Sequence, residues 1–197
     1  EISYLDQYLE SADQEIARGN WKPYIDAASA VDYIIAMEVT KNYGANMRSS
    51  VFMYKKRDAD PATPGDQGKL YFGPLWDFDT SFGNFDYGGP EELIPTGWWV
   101  SEPNPTIKAV QGTATWFHHL MDDPEFAQLV KDRWNTLKTA GFKATADAFI
   151  ASEREFVAKS VAADKVRWGG DDDGAVSQLQ SWFTTRYTWL DGRWGNR

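Results

Sequence analysis

The chain has 197 residues, 42% of them hydrophobic and 15% aromatic, with 29 acidic against 20 basic side chains and a formal net charge of −9. Such a composition builds a packed core and excludes a disordered chain. The acidic balance repels phosphate backbones, which argues against nucleic-acid binding through a broad basic surface. The absence of cysteine excludes disulfides, thiol nucleophiles and thiolate metal sites.

In chain order, Ile2, Leu5, Tyr8, Leu9, Ala12 and Ile16 recur at helical spacing, and Gly19-Asn20 ends that helix. Asp26 is the expected N-cap of a second helix, apolar on most faces through Val39 and so expected at the centre of the core, with Gly44 as its stop. Val51 to Tyr54 and Lys69 to Phe72 read as two strands of a hairpin, joined by a Pro-, Gly- and Asp-rich loop over 58–68. Residues 85–111 show little periodicity, and a loop that long inside a compact domain is usually functional or a lid. The remainder reads as helices: a short one from Trp116 to Met121, one opened by Asp123-Pro124-Glu125 and closed by Gly141, one from Ala144 to about Ala163, and one from Val176 to Leu190. The expected class is mainly α with one β-hairpin (α+β), as a single domain over 1–197. No run approaches the roughly 18 apolar residues of a membrane helix. No leader-like segment opens the chain; it opens at Glu1 inside an expected helix, and so reads as a piece of a longer protein or a processed chain, with its targeting signal elsewhere.

The motif richest in chemistry follows the second strand: Gly73-Pro74-Leu75-Trp76-Asp77-Phe78-Asp79-Thr80-Ser81-Phe82-Gly83-Asn84. A carboxylate directly after a buried strand can reach Mg²⁺ bridging nucleotide phosphates. The competing reading is a turn capped by Asp77 and Asp79 through their own backbone. Asn42 and Asn46, at the end of the second helix, offer oxygen donors, or they simply terminate that helix. His118 and His119 are neighbours pointing about 100° apart, which disfavours a shared metal. The Asp171–Asp173 run and Asp58, Asp60 and Asp66 lack the closing Glu of a calcium loop. Trp98-Trp99 can clamp a sugar or partner if exposed, and packing is the favoured reading. Neither Gly-x-x-x-x-Gly-Lys-Ser/Thr nor Gly-x-Gly-x-x-Gly occurs.

Taken together, these segments resemble the C-terminal half of the CotH kinase family, named for spore coat protein H. Tyr24-Ile25-Asp26 with Ser29 and Asp32-Tyr33 is similar to the family's helix entry, and Glu38-Val39-Thr40-Lys41-Asn42 to its "E-x-x-K-N". Ser50-Val51-Phe52-Met53-Tyr54-Lys55 is similar to a family strand, and residues 68–84 to the signature "G-K-L-x-x-G-P-x-W-D-F-x-x-x-F-G-N". Asp123-Pro124-Glu125-Phe126, Arg133-Trp134, Trp182, Arg186 and Trp189-Leu190 also fit.

The resemblance implies the C-terminal lobe of an atypical, kinase-like fold that transfers phosphate from ATP to serines of secreted or surface proteins. It implies Asp77 as the Mg²⁺ or Mn²⁺ ligand, Trp76 and Asp79 as contacts to the nucleotide–metal cofactor, and Asn42 and Asn46 as catalytic positions. It implies as partners a serine-bearing protein substrate and the family's own N-terminal lobe, which this chain does not contain and without which it is expected to be inactive. The implied location is extracellular or at the cell surface. Many relatives carry "K-N-x-D", whereas Asn42-Tyr43-Gly44-Ala45-Asn46 has no carboxylate, and an amide cannot act as a general base. The alternative is a non-catalytic, pseudokinase-like binding or scaffold module that recognises glycan or protein partners.

Overall fold

The computed structural model describes residues 2–45, 47, 49–57, 68–84, 93–101, 116–169 and 174–195. Among them are six α-helices: α1 (Ile2–Ala17), α2 (Ala27–Thr40), α3 (Trp116–Asp122), α4 (Pro124–Thr139), α5 (Phe142–Trp168) and α6 (Ala175–Trp194). A two-stranded antiparallel hairpin, β1 (Met53–Lys55) and β2 (Leu70–Phe72), sits between α2 and α3, in the register Met53↔Phe72, Tyr54↔Tyr71 and Lys55↔Leu70. The mainly helical α+β expectation therefore holds. Residues 58–67, 85–92, 102–115 and 170–173 lie outside the described set, and with them Asp58, Asp60, Asp66, Asp171–Asp173 and Asn46.

Helix α2 is central, as its all-round apolar sequence demands. Ala30, Val31, Tyr33, Ile34, Ile35, Met37 and Val39 are all buried, each large one stabilising the fold by about 1.5–3 kcal/mol. It packs on α4, α6 and β2, while α3 packs on α1 and α4. Asp26 caps α2 as expected, accepting the Ser29 N–H at 2.8 Å. Asp123 does the same for α4, accepting the Phe126 N–H at 2.9 Å. The hairpin is pinned to the α2 entry: Asp26 N–H donates to Leu70 O at 2.9 Å, Leu70 N–H to Tyr24 O at 2.8 Å, and Phe72 N–H to the Ser29 hydroxyl at 3.2 Å. Phe72 then packs with Tyr33 and Phe117, ring centroids 5.3–5.6 Å apart.

Several boundaries differ from the sequence reading. Helix α2 ends at Lys41, which takes a left-handed conformation (φ 47) well before Gly44. Lysine is held there because its ammonium donates to Ile94 O and Thr96 O at 2.8 and 2.9 Å. Strand β1 starts two residues late, at Met53; Phe52 joins the pairing through its carbonyl, which accepts Gly73 N–H at 2.9 Å. Helix α5 runs on to Trp168, where Lys165 and Arg167 suit its C-terminal dipole and Gly169 supplies the left-handed cap. At 27 residues it is about 40 Å long; its first turns are half-buried against the core through Phe142, Ala146 and Ile150, no residue of it is fully buried, and Phe156 stands 83% exposed.

Tryptophans 98 and 99 pack, as favoured. Trp99 is fully buried, and Trp98 lies against Trp189 and Trp194, with centroids at 4.9 and 5.3 Å. His118 and His119 are both half-buried, and His118 Nε2 lies 3.3 Å from Asp122 Oδ2.

Candidate functional site

Past β2 the chain turns at Gly73 (φ 130) and a cis Gly73–Pro74 bond, then presents Leu75, Trp76 and Asp77 at the surface. Trp76 is 61% exposed and meets the exposed ring of Phe52 edge-on at 6.2 Å. Asp77 has φ 65, a left-handed conformation that costs a residue bearing a Cβ about 1–2 kcal/mol. Two contacts hold it there. The Asn42 side-chain amide donates to the Asp77 carbonyl at 2.7 Å, and the Ser50 hydroxyl donates to Asp77 Oδ2 at 2.7 Å.

The rest of the turn is stitched to the end of α2. Tyr43 N–H donates to Thr80 O at 3.2 Å, and Phe82 N–H to Thr40 O at 2.7 Å. Asp79 Oδ1 accepts the neighbouring Thr80 N–H at 2.9 Å, as a turn-capping aspartate does, and its carbonyl accepts from Asn84 Nδ2 at 3.2 Å. Gly83 (φ 75) is required by close approach: a Cβ there would lie 2.5 Å from the Trp182 indole nitrogen. That nitrogen donates to Leu93 O at 2.8 Å, so α6 and the start of the 93–101 loop border the turn.

Of the sequence-derived site residues, the structure brings Asn42 and Asp77 into direct contact and places Trp76 and Asp79 on the same exposed turn. Asn46 lies outside the described residues. Asn42 is 1% exposed, and both ends of its amide are engaged with backbone: Nδ2 with Asp77 O, and Oδ1 with Gly44 N–H at 2.8 Å. Its contact with the proposed metal ligand runs through the backbone of Asp77. Ser50 was missed as a site residue. Its only signal was its place at the head of a strand whose partner strand delivers Asp77.

The donor set suits a hard divalent cation. Asp77 is exposed, and among the described residues its Oδ1 has no protein partner. The side-chain donors exposed on the turn are oxygens. Among the described residues no group of three or more His, Cys, Asp or Glu converges. An all-protein cage is thus not formed from them, and the arrangement fits Mg²⁺, which is typically held by one or two carboxylates while substrate phosphates and water complete the shell. An apolar cleft of about 520 Å³ behind Phe82, lined by Ile35, Val39, Phe142, Ile150 and Phe183, offers no comparable donors. Its carboxylate, Asp32, is paired with Arg133 at 2.7 Å.

Among the described residues no helix is long and apolar enough to cross a membrane. The family model described as CotH kinase protein matches residues 2–190. No curated protein and no solved structure gives a match.

Proposed function

Since the chain belongs to the CotH kinase family, we propose that it is the metal-binding C-terminal lobe of a protein kinase that transfers phosphate from ATP to serine residues of secreted or surface proteins. The observation that carries this reading is Asp77: an exposed carboxylate on a left-handed residue, held by Asn42 and Ser50, with one oxygen turned to solvent-accessible space. In this reading Asp77 Oδ1 takes Mg²⁺ or Mn²⁺, which would neutralise charge on the ATP phosphates during transfer. Asn42 orients the carboxylate by fixing its backbone. Trp76 presents an apolar flank for the nucleotide, and Asp79 adds negative charge beside the cation. The cationic partners of the phosphates come from the family's N-terminal lobe, because phosphoryl transfer depends mostly on electrostatic positioning.

Titration with Mn²⁺ in the presence of ATP, read by calorimetry or electron paramagnetic resonance, tests the site. Wild-type protein binds the ion and Asp77→Asn loses at least tenfold in affinity, on the order of the effect of removing one charged ligand. Equal binding by the two proteins refutes the assignment. The segment from Asn42 to Asn46 favours a second reading, a pseudokinase-like module, because it supplies no carboxylate to accept the serine proton. Labelled ATP offered with a serine-rich substrate to the full-length parent separates the two. Transfer abolished by Asp77→Ala supports a kinase, whereas nucleotide and metal binding without transfer supports the module.

A further inference from the structure

We propose that Trp99 is a positioning residue that locks the 93–101 loop to the Asp77 turn, so that the loop bordering the site and the metal-binding carboxylate behave as one body. The metal half of this statement rests on the reading of Asp77 given above.

The argument starts where α2 ends. Lys41 is left-handed, so beyond it the helix no longer dictates the path of Asn42. Three hydrogen bonds dictate it instead. Two are made by the Asn42 side chain, to Asp77 O and Gly44 N–H. The third comes from across the fold: the Trp99 indole N–H donates to the Asn42 carbonyl at 2.7 Å. That bond fixes the peptide adjoining the Asn42 Cα, from which the side-chain amide reaches Asp77, and it links the 93–101 loop directly to the Asn42–Asp77 pair.

Trp99 is itself immobilised. Its ring is fully buried, and the Lys41 ammonium lies 5.2 Å from its centroid. Its backbone N–H donates to both Glu38 carboxylate oxygens, at 3.1 and 2.9 Å, and the same carboxylate accepts Val100 N–H at 2.9 Å and Ser101 N–H at 2.8 Å. Arg186 holds that carboxylate at 2.6 Å and grips the loop at Gly97 O, also at 2.6 Å. A buried apolar ring would suffice to fill the space. The indole N–H adds a direction, and it is aimed at Asn42, the residue just beyond α2 whose side chain holds the Asp77 carbonyl.

Replacing Trp99 by Phe keeps an aromatic ring and deletes the N–H. Trp134→Phe is the matched control: this tryptophan is also buried, and its indole N–H donates to Asp191 Oδ1 at 3.1 Å, at the α4–α6 contact. Amide hydrogen exchange at Gly44 and Phe82, whose N–H groups bond Asn42 Oδ1 and Thr40 O, reads the lock directly. We expect Trp99→Phe to speed both by about fivefold, the worth of one net hydrogen bond, and to weaken Mn²⁺ binding by a similar factor. Trp134→Phe should lower thermal stability and leave both readouts unchanged. Unchanged exchange in Trp99→Phe, or an equal response in Trp134→Phe, overturns the lock. If the exchange responds as expected while Asp77→Asn binds Mn²⁺ as wild type does, the lock stands and the metal assignment falls.

Discussion

Two carboxylates near the C-terminal end of α2 illustrate opposite uses of the same chemical group. Glu38 has no exposure. It accepts three successive loop N–H groups and a 2.6 Å bond from Arg186, itself fully buried, whose Nε also donates to the Glu38 carbonyl. Asp77 is exposed, takes one side-chain donor, and sits on a strained backbone. A saturated, buried carboxylate has nothing left to offer a ligand, so Glu38 is architecture. An under-committed carboxylate held in a costly conformation is what the proposed metal site uses. Burial pulls Arg186 down to about 10 against the upward pull of Glu38, so the guanidinium remains charged at neutral pH.

The sharpest way to break the comparison is to remove one partner of the buried pair. Arg186→Ala leaves the buried Glu38 carboxylate without its cationic partner, and should cost about 3–5 kcal/mol, enough to unfold much of the population in mild urea. The double variant Glu38→Gln with Arg186→Met removes both charges and should be more stable than Arg186→Ala. Denaturation midpoints followed by circular dichroism check both. A double variant weaker than the single would mean that the carboxylate, and not its pairing, holds the 99–101 backbone.

What the sequence disclosed, and what it hid, divides along the same line. Local signals were legible. Asp26 and Asp123 cap the helices that their positions announce, the apolar faces of α2 are buried, and the strand before Asp77 delivers it to the surface. Long-range polar partners were not. Glu38, Lys41 and Asn42 read as a motif at a helix end, yet their partners lie at 99–101 and 186, at 94 and 96, and at 77. Nothing in local spacing ties a carboxylate at 38 to a guanidinium at 186. The exposed apolar face of α5 was equally hidden, since Phe156 has helical spacing whether or not anything covers it.

A smaller effect is expected at the α4 cap. The Phe126 N–H donating to its carboxylate holds Asp123 below the usual carboxylate range. The bond's contribution is complete above the unfolded aspartate value of about 4 and fades as pH falls through the lower folded value. Asp123→Ala should cost about 1 kcal/mol at pH 7. Asp123→Asn retains a capping oxygen but not the titration, so its stability relative to wild type should improve as acid is added below about pH 4. A stability gap between wild type and Asp123→Asn that stays constant from pH 7 to pH 2 would show that the shift plays no part. Unlike the Glu38–Arg186 pair, this carboxylate is only half-buried, which is why its expected contribution is several-fold smaller.

The smallest effect has the opposite sign, and it tests the meaning of Asp77 most directly. Its left-handed backbone costs a Cβ-bearing residue energy that glycine would not pay. Asp77→Gly deletes the Ser50 contact but keeps the carbonyl that Asn42 holds. The relieved strain and the lost exposed hydrogen bond nearly cancel, leaving the variant between neutral and about 1 kcal/mol more stable in thermal denaturation. The same variant should lose Mn²⁺ binding. A residue whose removal leaves the fold as stable or more so while abolishing binding is retained for what it binds. If Asp77→Gly instead destabilises the protein by more than about 1 kcal/mol, the aspartate is a structural turn cap, and its exposed oxygen is incidental.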